Sequence, residues 1–392
     1  MCKFFERAKE IEEEIIKNRR FLHEHAELGN ELPTTKQYVI EKLKEIGCSP
    51  EEICKSGIVT TIGGKRNGKV ILLRADMDAL PMKEESGLKF SSKTQCAHTC
   101  GHDTHTAMLL GAAKLLKEKE DELEGTVKLM FQPDEEGLGG AKAMIDAGVL
   151  ENPKVDSAFG MHILSKIMPT GHVAYNTGYC AASSDNFKII INGQGGHGAM
   201  PNQTIDPINV GVHIHLALQE LISRESDPSD TAVITIGTFN SGDSFNIIPE
   251  KAILTGTMRS YSKENREKLL KRLNEVVDFT AKTFRAEAKL ESSASTPALY
   301  CEPKISEEFA EYLKKELGNN ISKLDTKLGG SEDFSQVLDK VPGTMVILGG
   351  GSEQEGFKYG QHNPKVVFNE DCLHVGAAVY AHSAFEWLKN NK

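Results

Sequence analysis

Apolar residues recur at helical spacing from Phe4 to His25, with Ile11, Ile15 and Leu22 on one stripe. Pro33-Thr34-Thr35 predicts the opening of a second helix, which runs to about Ile46 and is stopped by Gly47. The pattern then changes to short, continuous apolar runs. Gly57 to Ile62, Val70 to Leu73, Val127 to Phe131 and Asp156 to Met161 read as buried strands, with helices at Thr104 to Lys119 and Gly140 to Ala147. Strands and helices alternating in this way predict an α/β fold: a mainly parallel sheet with helices on both faces.

From about Ser184 the rhythm differs. A strand at Phe187 to Ile191 is followed by a helix from Asp206 to Arg224 and strands at Val233 to Phe239 and Ala252 to Met258. A long helix, Ser262 to Phe284, and a strand, Ala286 to Leu290, complete the order. This βαββαβ succession is the split-βαβ, ferredoxin-like unit, which makes a compact α+β domain alone. After about Ser293 the first rhythm returns, with a helix at Ser306 to Leu317, a buried strand at Thr344 to Leu348 and a terminal helix at Glu370 to Lys389. The expected organisation is a discontinuous catalytic domain, residues 1–183 and 294–392, carrying an inserted lid or dimerisation domain, residues 184–293. Gly349-Gly350-Gly351 follows a predicted strand but completes no GxGxxG, so a nicotinamide-linked dehydrogenase finds no fingerprint here.

Composition narrows the partners. A net charge of -10 repels nucleic acid and anionic lipid on average, so neither is expected. No run reaches the ~18 apolar residues of a membrane span, and Met1 to Glu6 leads into a charged helix without an apolar signal core. The expectation is a cytoplasmic protein. In a reducing cytosol the eight scattered cysteines are not a disulfide framework, and a Cys beside His is a candidate ligand or nucleophile.

The chemistry gathers at strand ends. Asp76 and Asp78 follow the strand from Val70, Glu135 and Glu136 follow the strand from Val127, His162 follows Met161, and His362 lies a short loop beyond Leu348. In an open α/β sheet the carboxyl edge is where ligands bind. His98-Thr99-Cys100-Gly101-His102-Asp103 stands directly before a helix, and its glycine permits a tight turn that aims Cys100 and His102 one way. Thiolate, imidazole and carboxylate together suit zinc and its borderline neighbours. Cys100, His102, Glu136, His162 and His362 exceed what one tetrahedral ion needs, and a thiolate bridging two ions accounts for the surplus.

Arg74-Ala75-Asp76-Met77-Asp78-Ala79-Leu80-Pro81, the His98 to Asp103 segment, Phe131-Gln132-Pro133-Asp134-Glu135-Glu136-Gly137 and His362-Asn363-Pro364 resemble the bacterial and plant N-acyl-amino-acid amidohydrolases. That group comprises hippurate hydrolases, indole-acetyl-amino-acid hydrolases and N-acetyl-amino-acid deacetylases, within the aminoacylase and carboxypeptidase-type di-metal superfamily. Gly195 to Pro201, Asn246 to Pro249 and Gly330 to Phe334 extend the resemblance over nearly the whole chain.

The resemblance implies two divalent ions (zinc, manganese, cobalt or nickel) bridged by Cys100, one completed by Glu136 and His362, the other by His102 and His162. It implies Glu135 as general base and later acid, and Asp78 as the aspartate that orients a ligand histidine. His197 and Asn246 would reach the site from the inserted domain, of the same chain or of a partner in a homodimer held by that domain, and Arg259 would clamp a substrate carboxylate. The implied reaction is hydrolysis of an N-acetyl, N-benzoyl or similar amide of an L-amino acid. The alternatives are a dipeptidase or carboxypeptidase of the same superfamily and a non-catalytic metal or amino-acid binder. Peptidase branches usually carry His-x-Asp where this chain has Asp76-Met77-Asp78, which disfavours them and leaves the part played by Asp76 open. Other departures are His25-Ala26-Glu27-Leu28-Gly29 for an early His-Pro-Glu-Leu-Gly pattern, Thr104 for a frequent glycine and Asn202 for a frequent histidine. None of them removes a ligand or the base.

Overall fold

A computed structural model describes residues 3–64, 68–327 and 329–392. Cys2 lies outside them. The chain divides into two compact units, Met1–Gly178 with Tyr300–Lys327 and Asp333–Lys392, and Tyr179–Leu299 with Leu328–Glu332.

The first unit is built on an eight-stranded sheet in the order Glu51–Ile53, Gly57–Gly63, Thr126–Gln132, Val70–Asp76, Ser157–Met168, Gly343–Ser352, Val173–Tyr175, Ile321–Lys323. Its four central strands, Thr126–Gln132 to Gly343–Ser352, run parallel. Antiparallel pairings join Gly57–Gly63 on one side and Val173–Tyr175 on the other. Val70–Asp76 is buried at every position, as a strand covered on both faces must be. Helices His102–Lys117 and Leu373–Asn390 contribute Ala107, Met108, Ala112, Ala377, Ala381 and Leu388 to the core beside Ile71, Leu73 and Leu129.

Three expectations need correction. The first helix is two, Phe4–Glu10 and Glu12–Glu24, separated at Ile11 with φ -99° and ψ 11°. Gly349, Gly350 and Gly351 do not follow a strand but belong to one, Gly343–Ser352. They are small because neighbours crowd that strand: a Cβ on Gly349 would stand 1.9 Å from the Pro169 carbonyl oxygen. Finally, His162 lies within its strand, Ser157–Met168, not after it. It still stands at the carboxyl edge, because the neighbouring strand pairs only as far as Arg74 with Gly160.

The second unit carries a four-stranded antiparallel sheet in the order Ala232–Ser241, Lys251–Ser260, Ser184–Asn192, Glu287–Thr296. Helices Pro207–Glu220 and Lys263–Thr283 pack Val210, Ile214, Leu218, Leu269, Leu273 and Val277 against Ile189, Ile191, Leu254 and Met258. Each helix is capped by a side chain, Asp206 or Ser262, that accepts from first-turn amides.

Candidate metal centre

The loop before helix His102–Lys117 presents Cys100 and His102 on either side of Gly101, whose φ is 97°. A Cβ there would meet Ile163 Cγ2 at 2.5 Å and the Phe368 ring at 3.1 Å. Both backbone angle and space therefore demand glycine. Gly101→Ala is expected to force Cys100 and His102 apart and, if they hold a metal, to weaken its binding by about tenfold or more, read as metal retained after dialysis against a graded chelator series.

The donors meet. The ligand atoms of Cys100, His102 and His162 lie within 4.8 Å of one another, as do those of Cys100, Glu136 and His362, so the two groups share one sulfur. Cys100 Sγ is 3.4 Å from His162 Nε2, and Glu136 Oε1 is 3.4 Å from His362 Nε2. His362 is the exposed member, on a left-handed backbone with φ 62°.

Backbone groups decide which ring nitrogen faces the sulfur. A carbonyl can only accept, so His102 Nδ1 donates to Asp78 O at 2.9 Å and His162 Nδ1 donates to Ile163 O at 2.6 Å. In each neutral ring the lone pair then lies on Nε2. His102 Nε2 is buried and makes no hydrogen bond among the described residues. An orphaned imidazole nitrogen beside a buried thiol and carboxylates fits a cation, and a soft sulfur with nitrogen and oxygen donors suits zinc-like ions.

Glu135 and Glu136 sit in a reversal bracketed by Asp134 and Leu138, with φ 56° and 58°. The Asp78 carboxylate accepts from both their amides, Glu135 N–H at 3.0 Å and Glu136 N–H at 3.1 Å. Glu135 is buried, its Oε2 3.8 Å from His102 Nε2 and its Oε1 3.4 Å from Asp333 N.

The charges suit a centre built for cations. Burial pushes the Cys100 thiol up, and burial with nearby His105 pushes His162 down. Burial opposes a charged His102, but Asp76 and the other negative groups outweigh it and raise the ring well above its ordinary value. Burial likewise opposes ionised Glu136, yet the His362 ring 3.4 Å away keeps it low, and the Glu136 carboxylate raises His362 in turn.

Beneath these donor groups lies a set of residues to which the sequence assigned no role. Arg74, wholly buried, donates to Gln132 Oε1 at 2.8 Å, Asp76 Oδ2 at 2.7 Å and Asp333 Oδ1 at 3.1 Å. His105 Nδ1 donates to Asp76 Oδ1 at 2.6 Å. His105 lies one helical turn beyond His102, and that spacing is the signal the sequence offers.

A second buried ionic group anchors the neighbouring segment. Arg19 Nε and His23 Nδ1 each donate to Asp103 Oδ2 at 2.8 Å, and His23 Nε2 lies 3.1 Å from Glu84 Oε1. Burial alone would push Glu84 up, but hydrogen bonds from His23, Ser86 and the Ser92 amide hold it at about 2. A depressed carboxylate stabilises the fold above its unfolded pKa of about 4.3. That stability is lost as pH falls toward the folded value. Glu84→Gln is therefore expected to lower Tm at pH 6, with the gap to the parent closing between about pH 4 and pH 2 in melts followed by circular dichroism.

The remaining candidates lie in the second unit. Gly196–His197 pairs antiparallel with Ile247–Ile248, which brings His197 beside Asn246: Gly198 N donates to Asn246 O at 2.9 Å. His197 Nδ1 accepts from Ala199 N at 3.1 Å, so the proton of the neutral ring is on Nε2. Arg259, on the strand Lys251–Ser260, donates to Ser331 Oγ at 3.0 Å.

Residues 72–386 match the description of peptidase family M20/M25/M40. The chain is 40% identical over 380 residues to thermostable carboxypeptidase 1 of Saccharolobus solfataricus, spanning 95% of each protein. It is 36% identical over 383 residues to N-acetylcysteine deacetylase of Bacillus subtilis, spanning 96% of this chain and 98% of that one. A crystal structure of a dinuclear metal-binding peptidase of the M20 family from Bacillus subtilis resembles it with a TM-score of 0.81 at 33% identity, over 97% of this chain and 99% of that one.

Proposed function

Because the chain belongs to peptidase family M20/M25/M40, we propose that it hydrolyses the amide bond of N-acyl-L-amino acids, releasing a carboxylate and a free amino acid. The observation that carries the proposal is the single sulfur of Cys100 common to two ligand groups, with Glu135 alongside. We assign His102 and His162 to one divalent cation and Glu136 and His362 to the other, with zinc, manganese, cobalt or nickel as the candidate metals. Bound there, such cations supply a water acidified toward neutrality and a positive field for the carbonyl oxygen.

Glu135 accepts the proton of the attacking water and returns it to the leaving nitrogen. Asp78 holds the amide of Glu135 and so fixes where that carboxylate stands. His197 carries a proton on Nε2, the donor an oxyanion needs. To Arg259 we assign the α-carboxylate of the leaving amino acid, because a guanidinium meets a carboxylate through two parallel hydrogen bonds. Asn246 accompanies His197 as a substrate contact.

We further propose a homodimer formed through the second unit. Ile208, Val212 and Leu216 line one exposed face of helix Pro207–Glu220, and strand Ala232–Ser241, with exposed Val233 and Phe239, is a sheet edge. An exposed apolar face beside an open edge is the kind of surface a second copy covers. Among the described residues no helix is long and apolar enough to cross a membrane. Seven described cysteines are free thiols, which supports a reducing, cytoplasmic setting.

A second reading is favoured by the Saccharolobus relative, named as a carboxypeptidase. The two readings share a leaving group, an amino acid with a free α-carboxylate, and differ only in the acyl side. A hydrolysis panel separates them: N-acetyl and N-benzoyl amino acids beside dipeptides and longer peptides, with zinc, manganese, cobalt and nickel each restored after chelation. Turnover of acyl amino acids above peptides supports the first reading, the reverse order supports the second, and no turnover with any metal refutes both.

A further inference from the structure

Asp76 is wholly buried at the end of its strand, and its Oδ2 lies 3.6 Å from His102 Nε2, outside hydrogen-bond reach. Both its oxygens are engaged at short range, Oδ2 by Arg74 at 2.7 Å and Oδ1 by His105 Nδ1 at 2.6 Å. His105 is equally committed on its far side. Its Nε2 accepts the Ile163 amide at 2.8 Å. A peptide N–H can only donate, so that nitrogen carries the lone pair and the ring proton lies on Nδ1, facing Asp76. Asp76, His102 and His105 gather donor atoms within 4.8 Å, as a cation site would. Both His105 nitrogens are occupied, however, so His105 has no lone pair to spare for a metal, and the free nitrogen of the trio is His102 Nε2, already assigned to the cation beside Cys100.

The chain of contacts continues to a proposed ligand. The Ile163 carbonyl takes the Nδ1 proton of His162 at 2.6 Å and a Gln361 amide proton at 2.8 Å. The backbone of Ile163 is thus held at its N–H by His105 and at its C=O by His162. The His105 ring packs edge-on against His162, with centroids 4.7 Å apart. The Ile163 side chain also lies against Gly101, between Cys100 and His102.

From this we infer that Asp76 is a positioning residue: acting through His105 and the Ile163 backbone, it sets the ring orientation and tautomer of His162 so that Nε2 faces Cys100. The inference rests on the two-cation reading given above and adds to it an asymmetry, because Asp76 reaches only the His102 and His162 side.

The variants follow from proton counts. An Asn at 76 has one acceptor where two are used, so either Arg74 or His105 Nδ1–H must face an amide N–H₂. His105 then favours its other tautomer, and Nε2–H confronts the Ile163 amide. His105→Asn keeps a donor near Asp76 but cannot reach the Ile163 amide, so it cuts one link only. The full-length protein, the two single variants and the double variant are titrated with zinc against a chromophoric chelator. Histidine tautomers are read by long-range proton–nitrogen correlation in the metal-free protein.

The wild type is expected to take up two zinc ions. Each single variant is expected to hold one of them about 10- to 100-fold more weakly, the usual cost of losing an outer partner of a ligand, and to leave the other unchanged. The double variant should match the singles within about threefold, because both residues act through one path. His162 should lose its pure Nδ1–H state in both. Unchanged zinc affinities in the singles overturn the inference, and so do losses that multiply in the double variant, which would make Asp76 a ligand itself. If Asp76→Asn does not fold, His105→Asn decides, since it spares the Arg74–Asp76 pair. A wild type that binds fewer than two zinc ions refutes the two-cation reading instead, and the tautomer spectra then judge the positioning alone.

Discussion

Glu135→Gln is expected to lower kcat by about 10²- to 10⁴-fold, the range a positioned general acid–base contributes, and to leave metal content intact. The substitution keeps the size of the side chain and the backbone amide that Asp78 holds. It removes the group proposed to take a proton from water and give it to nitrogen. KM should move little, because Glu135 is given no part in holding the substrate. Metal analysis beside steady-state kinetics checks this, and a variant turning over within tenfold of the parent would move the base elsewhere.

The second large effect is expected at the shared sulfur. Cys100→Ser should reduce zinc from two ions per chain to fewer than one at limiting metal. Loss of an outer partner alone costs about 10- to 100-fold in affinity, and a direct, shared donor costs more. The serine hydroxyl stays protonated where a thiol ionises under a cation. Burial raises the Cys100 thiol above its ordinary value, so in the metal-free protein it is protonated at neutral pH. Cation uptake must expel that proton, besides any carried by the raised His102 and His362 rings, and affinity should therefore climb by at least about tenfold per pH unit through neutrality. The slope should flatten in Cys100→Ser. An equal slope in both proteins would place the released proton on another group.

Much of this architecture is legible in the amino-acid sequence. The ligand candidates are readable because each stands beside an apolar run that suits a central strand, and because Cys100-Gly101-His102 is a short motif with its own turn chemistry. Elements with strong periodicity, such as the helices Pro33–Ile46 and Lys263–Thr283, match their expected bounds nearly to the residue. Three-residue strands such as Glu51–Ile53 and Val173–Tyr175 have no period to detect and exist because a neighbour pairs with them. Ser157–Met168 runs past its apolar half through Ser165 and Lys166, since Gly343–Ser352 continues beside it. The supporting layer is harder still. Arg74 sits in an apolar strand, where an arginine reads as an intrusion until its two buried carboxylates are seen. His105 looks like any core histidine of a helix. Their meaning depends on partners far away in the chain, and local pattern carries no record of those.

Asp78 grips the successive amides of Glu135 and Glu136 with a single side chain. With Glu135 as the proposed base and Glu136 as a proposed ligand, proton handling and cation holding are thus yoked to one mechanical part. A redesign that re-aims the base will also disturb a metal, and one that swaps the metal will shift the base. Changes of substrate taste are therefore best sought in the surrounding walls, with this pair of glutamates left as an indivisible cassette.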